Sequence, residues 1–217
     1  MSETTVENLG RTESKRRTIL DAATTLFLRQ GFLGTSMDEV ASLASVSKQT
    51  VYKQFASKEA LFVGIVQSLT GHASDRVQTG MEDPADAAEM ADELRGHADR
   101  LLTIALTPQL LQLRRLVIGE AMRFPELGKA LYEGGPGRAI SGLATVLERW
   151  AQRGLLTVDD PLVAATQFNW LIMGEPVNRA MFYGDEGASM TSAKRDAHVG
   201  AAIRVFLAAY EPGRSRS

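Results

Sequence analysis

Ser36 and Ser47 each open a helix, and the space between them admits only one short helix and a tight turn. Ser36-Met37-Asp38-Glu39 has the spacing of a capping box. In that motif the serine hydroxyl accepts from the third helical N–H, and the glutamate reaches back to the serine amide. Val40, Leu43 and Ala44 then supply an apolar stripe, and Ser47 caps a second short helix over Lys48–Gln54. In that second helix Val51 and Phe55 lie four residues apart and face inward. Two short capped helices with about three residues between them have helix-turn-helix geometry.

A longer helix precedes this pair. Ile19, Leu20, Ala22, Ala23, Leu26 and Phe27 recur at spacings of three and four, and Gly31 stops the run after Gln30. Residues 1–11 are polar and are expected as a disordered arm. Ser57 caps the next helix, which starts at Lys58 and buries Leu61, Phe62, Ile65, Val66 and Leu69. Residues 12–57 therefore read as a three-helix domain. It is too small to build a large core alone and needs the helix after Ser57 to pack against.

The remainder, 58–217, reads as a helical body punctuated by glycine and proline. Pro84, Pro108, Pro125, Pro136 and Pro161 each stand where a helix can begin. The spacing predicts helices near 58–80, 84–106, 109–123, 125–133, 137–153, 160–182 and 191–210, with a loop over 184–192. No alternating strand pattern of useful length appears, and aromatic residues are only 6% of the chain. The expected class is all-α.

The chain has no cysteine, which excludes disulfides, cysteine zinc sites and thiol redox sensing. It has no apolar run of about 18 residues or more, so nothing is expected to span or enter a membrane. The polar start MSETTVENLGRTESKRR lacks the apolar region of a secretory signal. His72, His97 and His198 are far apart, and none has a ligand partner at helical spacing. With no nucleophile elbow, phosphate loop or dinucleotide fingerprint either, the sequence points to no metal, no cofactor and no catalytic residue.

The net charge of −2 conceals an asymmetry. Residues 11–62 hold eight Lys/Arg against five Asp/Glu, a net +3, while 63–217 carry a net −3. A basic module on an acidic body is expected where only the module meets phosphate. With Val51 and Phe55 turned inward, Lys48, Gln49, Thr50, Tyr52, Lys53 and Gln54 remain outside. Lys and Gln suit base edges in the major groove, and Thr and Tyr hydroxyls suit phosphate oxygens. Lys58, in a first helical turn, opposes the helix dipole, a conflict that a bound phosphate would relieve. Ser36 and Met37 open a helix whose free N–H groups suit another phosphate.

The stretch RRTILDAATTLFLRQGFLGTSMDEVASLASVSKQTVYKQFASKEALF closely resembles the DNA-binding domain of the TetR (tetracycline repressor) family. The likeness is carried by Ile19-Leu20-Asp21-Ala22-Ala23, Gly31-Phe32, Thr35, Val40-Ala41, Val46-Ser47, Tyr52, Phe55 and Ser57-Lys58-Glu59 with Leu61. By that resemblance Lys48, Gln49, Thr50, Tyr52 and Lys58 fall on positions that contact DNA, and Ser47, the cap of the same helix, is expected beside them among the DNA-binding residues. Two departures stand out. Ser45 occupies a turn position where the family usually has glycine, and so must accept a left-handed or strained backbone. Gln54 stands where His or Tyr is common.

In the body, RLVIGEAMRFPELGKALYEGGP, WAQRGLLTVDDP and WLIMGEP look like the AefR- and AcrR-like branch. This resemblance implies a ligand-binding and dimerisation domain over 58–217 and a homodimer made by the last two long helices. It further implies a pseudo-palindromic double-stranded DNA operator, a small apolar effector, and a cytoplasmic site of action, on the nucleoid when bound to DNA. Pocket candidates are Leu113, Val117, Met122, Phe124, Trp150, Phe168, Trp170 and Met173, each of which has ordinary core packing as its alternative. Glu120, Arg123, Asn169 and Glu175 are polar groups in apolar surroundings, which must be paired if buried. Two readings remain beside a ligand-released repressor: an activator, or body that binds a protein, on the same fold, and a helical scaffold with a vestigial DNA module.

Overall fold

The computed structural model describes residues 3–78 and 81–212, with no side-chain placement for 3–11 and 185. Ten α-helices appear among them: α1 (Glu3–Gly34), α2 (Met37–Leu43), α3 (Lys48–Gln54), α4 (Lys58–Gln78), α5 (Ala87–Ala105), α6 (Pro108–Glu120), α7 (Pro125–Tyr132), α8 (Arg138–Gln152), α9 (Pro161–Ala188) and α10 (Ser192–Tyr210). A single wide turn, Glu133–Gly137, joins α7 to α8. No strand occurs among the described residues, in accord with the all-α expectation.

The caps explain most helix starts. Ser36 accepts from the Glu39 amide, and the Glu39 carboxylate takes the Ser36 amide at 2.9 Å, which completes the capping box. Ser47 accepts from the Thr50 amide. Asp160 accepts from the Leu162 and Val163 amides ahead of α9, with Pro161 in the first helical position. Gly31, at φ +76° and ψ 178°, breaks α1 where the sequence predicted its end.

Four expectations are corrected. α1 already runs from Glu3, within the stretch expected as a disordered arm. α5 does not begin at Pro84, because Asp86 caps it by accepting from the Ala88 and Glu89 amides. Pro136 does not open a helix; it sits inside the wide turn. Such a turn relieves the clash between a proline ring and the preceding carbonyl. Residues 184–192 are not all loop: the chain bends at Gly184 (φ +63°) and stays helical to Ala188.

The chain forms two compact units, Met1–Leu69 with Gln112–Leu131, and Thr70–Leu111 with Tyr132–Ser217. The division falls inside α4 and α6. In the first unit Phe27 stacks on Phe62 with ring centres 4.9 Å apart, and Phe32 lies 5.6 Å from Phe62 and 4.8 Å from Phe124. The helix-turn-helix thus takes its core from α4 and from the turn after α6. Aromatic pairs of this geometry add about 0.5–1.5 kcal/mol each beyond area burial.

In the second unit α5, α8, α9 and α10 pack around Leu94, Leu102, Leu147, Trp150, Phe168 and Phe206. The apolar positions of the last two helices divide between core and surface. Ala164, Phe168, Ile172, Val199, Ala202, Ile203 and Phe206 line this core, whereas Val163 and Leu171 are exposed. Leu162, Trp170 and Val205 are exposed as well.

Candidate nucleic-acid interface

The side chain that seats α3 is Val51, which is fully buried. Burying a valine contributes about 1.5–3 kcal/mol. Phe55 closes the helix, its N–H bonded to the Val51 carbonyl. Arg16 of α1 stacks over the Phe55 ring at 4.3 Å and donates to the Gln54 carbonyl at 3.3 Å. The end of α3 is therefore held from both sides, so its outer face is presented on a fixed backbone.

That outer face carries Lys48, Gln49, Tyr52 and Lys53, all exposed, with Thr50 and Gln54 half-buried at its edges. Tyr52 is 45% exposed despite its ring. Ser47 and Thr50 share a hydroxyl hydrogen bond of 2.8 Å, so both oxygens are fixed at the start of the helix. Ser36 is exposed as the cap of α2, but the Met37 side chain is buried in the core. Only its backbone is left to meet a phosphate.

Lys48 meets the Asp38 carboxylate of α2 at 2.8 Å. The hydrogen bond and charge of Asp38 push the Lys48 ammonium above its ordinary pKa. Sequence reading missed Asp38 as a partner, although its position two residues after the Ser36 cap places it on the outer face. Lys58 solves its dipole conflict inside the protein. Its Nζ donates to the Thr35 carbonyl at 2.6 Å and lies 4.6 Å above the Phe32 ring.

Ser45, in the turn between α2 and α3, has φ +54°, a left-handed value shared with no other non-glycine among the described residues. The departure from glycine is thus carried as backbone strain, of about 1–2 kcal/mol for a residue with a Cβ.

The eight pocket candidates are divided between the two units. Trp150, Phe168 and Met173 share the core of the second unit. Leu113, Val117 and the half-buried Phe124 belong to the first. Met122 is 95% exposed and Trp170 43% exposed, so neither lines an enclosed cavity. Of the four polar groups in apolar stretches only Asn169 is buried, and neither of its amide atoms has a hydrogen-bond partner. Among the described residues no three His, Asp or Glu side chains gather as a metal site, and no single helix is long and apolar enough to cross a membrane.

A capped α2, a tight left-handed turn and a short α3 with its polar face outward define a helix-turn-helix DNA-binding protein. Residues 19–65 match the family described as bacterial regulatory proteins, tetR family, and residues 92–212 match the C-terminal domain of AefR-like transcriptional repressors. The chain belongs to the TetR family of transcriptional regulators. A TetR-family regulator from Mesorhizobium loti MAFF303099 is 36% identical, with a TM-score of 0.85 over 93% of this chain and 98% of that one. The flavonoid-responsive regulator FrrA is 33% identical, with a TM-score of 0.78 over 94% of this chain and 100% of that one. The transcriptional regulator RutR of Escherichia coli strain K12 is 26% identical over 73% of this chain and 72% of its own length.

Proposed function

We propose that the chain is a homodimeric repressor whose two α3 helices enter successive major grooves of a pseudo-palindromic operator. A small molecule with an apolar body releases it. The observation that carries this reading is the outer face of α3: Lys48, Gln49, Tyr52 and Lys53 stand exposed on a helix anchored by the fully buried Val51. Lys48 and Gln49 are suited to base edges, and Ser47, Thr50, Tyr52, Lys53 and Gln54 to phosphates.

The homodimer is supported by Leu162, Val163, Trp170 and Leu171 of α9 and Val205 of α10, large apolar side chains left exposed on the last two helices. Exposed apolar groups gathered on adjacent helices mark an interaction surface. Release by a small molecule is supported by the name of FrrA, a flavonoid-responsive regulator similar over 94% of this chain. A ligand that prefers one separation of the two α3 helices weakens DNA binding by a coupling of about 1–3 kcal/mol, and DNA weakens the ligand equally.

Fluorescence anisotropy with DNA from upstream of the chain's own gene, scrambled DNA as competitor and two salt concentrations tests this. Tight, selective and salt-sensitive binding is expected. Weak binding of equal strength to both DNAs, with no tighter fragment recovered from a genome-wide selection, would overturn it.

A further inference from the structure

Arg100 of α5 carries a charged edge that nothing in the protein uses. Its Nε and Nη2 are both buried and both lack a hydrogen-bond partner. These two atoms form the side of a guanidinium whose parallel N–H bonds fit the two oxygens of a carboxylate. Leaving such donors buried and unmatched is costly, and native proteins rarely do so without a functional reason.

The surroundings of Arg100 suit an anion. Arg100 lines a groove of about 400 Å³ together with Arg76, Asp99, Thr103 and Ile104. That volume is in the range of small-molecule sites. Asp99 does not neutralise the groove, because its carboxylate faces Arg195 of α10 at 3.3 Å. Arg195 also donates to the Thr103 hydroxyl at 2.7 Å. Arg76 and Arg100 are thus left as the uncompensated charges of the lining. One helical turn before Arg100, the buried Nδ1 of His97 is likewise without a partner.

We infer that the groove beside Arg100 is a binding site for a small organic acid, whose carboxylate pairs with the Nε and Nη2 edge of Arg100 while its apolar body lies along Ile104. Arg100 turns its free edge into the groove when the acid enters. The inference rests on the proposed small-molecule response and gives that molecule a charge, which the apolar effector expected from the sequence lacked.

The test uses the full chain and three pairs of probes: benzoate, 1-naphthoate and octanoate, each against its carboxamide. Thermal unfolding is followed for the wild type and for Arg100→Met, which keeps the apolar stem and removes the charged head. At least one acid is expected to raise the melting temperature while its amide does not, with the Kd at least tenfold weaker in Arg100→Met. Because the edge has no partner in the free protein, unliganded Arg100→Met is expected to melt no lower than the wild type.

The inference is overturned if no acid stabilises the chain, if amides act as well as acids, or if Arg100→Met responds like the wild type. Operator anisotropy separates it from the reading beneath it. An acid that binds through Arg100 and leaves operator affinity unchanged supports the site and defeats ligand release. Release by the amides alone supports ligand release and defeats the site.

Discussion

Lys58 donates from Nζ to the carbonyl oxygen of Thr35 at 2.6 Å, tying the first turn of α4 to the chain just ahead of α2. The same ammonium rests 4.6 Å above the Phe32 ring. A cation at a helix N-terminus is unfavourable by itself, and the two contacts offset that cost. Thr35 is in turn fixed by its own hydroxyl, which donates to the Gly31 carbonyl at 2.9 Å.

Lys58→Met is therefore expected to lower stability by about 1–2 kcal/mol, the worth of a charge-assisted hydrogen bond with a modest cation–π contact. Urea unfolding measures the loss. The salt dependence of operator binding should stay as steep as in the wild type, since Nζ is already engaged. A slope shallower by about one unit would instead place Nζ on a phosphate.

Ser45 gives a prediction of the opposite sign. At φ +54° its Cβ is strained, and glycine would remove the strain at some entropic cost in the unfolded chain. Ser45→Gly is expected to stabilise the protein by about 0.5–1 kcal/mol. An unchanged or lower urea midpoint would show that the turn bears no strain.

Both residues show which features a sequence makes legible. The caps at Ser36 and Ser47 were readable because the motif is local, and the left-handed turn at Ser45 because its geometry is confined to a few residues. Asp86 was missed as a cap because Pro84 offered a competing start, and proline is tolerated both in first helical turns and in the loop before them. The pairs Lys48–Asp38 and Lys58–Thr35 depend on how separate helices dock, which periodicity does not encode. The free edge of Arg100 was hidden for the same reason: an arginine in an amphipathic helix reads as a solvated face until its neighbours are in place.

Operator recognition should depend on Lys48 and Tyr52 separately. Lys48→Ala removes a side chain whose structural partner, Asp38, is exposed, so folding should hardly change. Operator affinity should fall about 5- to 150-fold, the range of a base contact worth roughly 1–3 kcal/mol. Tyr52→Phe removes one hydroxyl from an exposed ring and should weaken binding several-fold with the melting temperature unchanged. If both variants bind like the wild type, the outer face of α3 is not the recognition surface.

Acid stability turns on His97. Burial beside Phe168, with the Arg100 charge one turn away, lowers the His97 pKa from its ordinary 6.5 to about 4. The folded chain thus keeps His97 neutral at pH values where the unfolded chain protonates it. Its contribution to stability is complete above the unfolded value and is lost as pH falls from about 6.5 towards 4. Between pH 7 and pH 5 the wild type is expected to lose about 1–2 kcal/mol from this group alone. Over the same interval Glu39, Glu59 and Asp83, all held below their ordinary carboxylate range, stay ionised and contribute little change. His97→Gln should therefore be much less sensitive to pH between 7 and 5, whatever its absolute stability, when urea midpoints at the two values are compared. An equal drop in variant and wild type would mean that His97 titrates alike in the folded and unfolded chains.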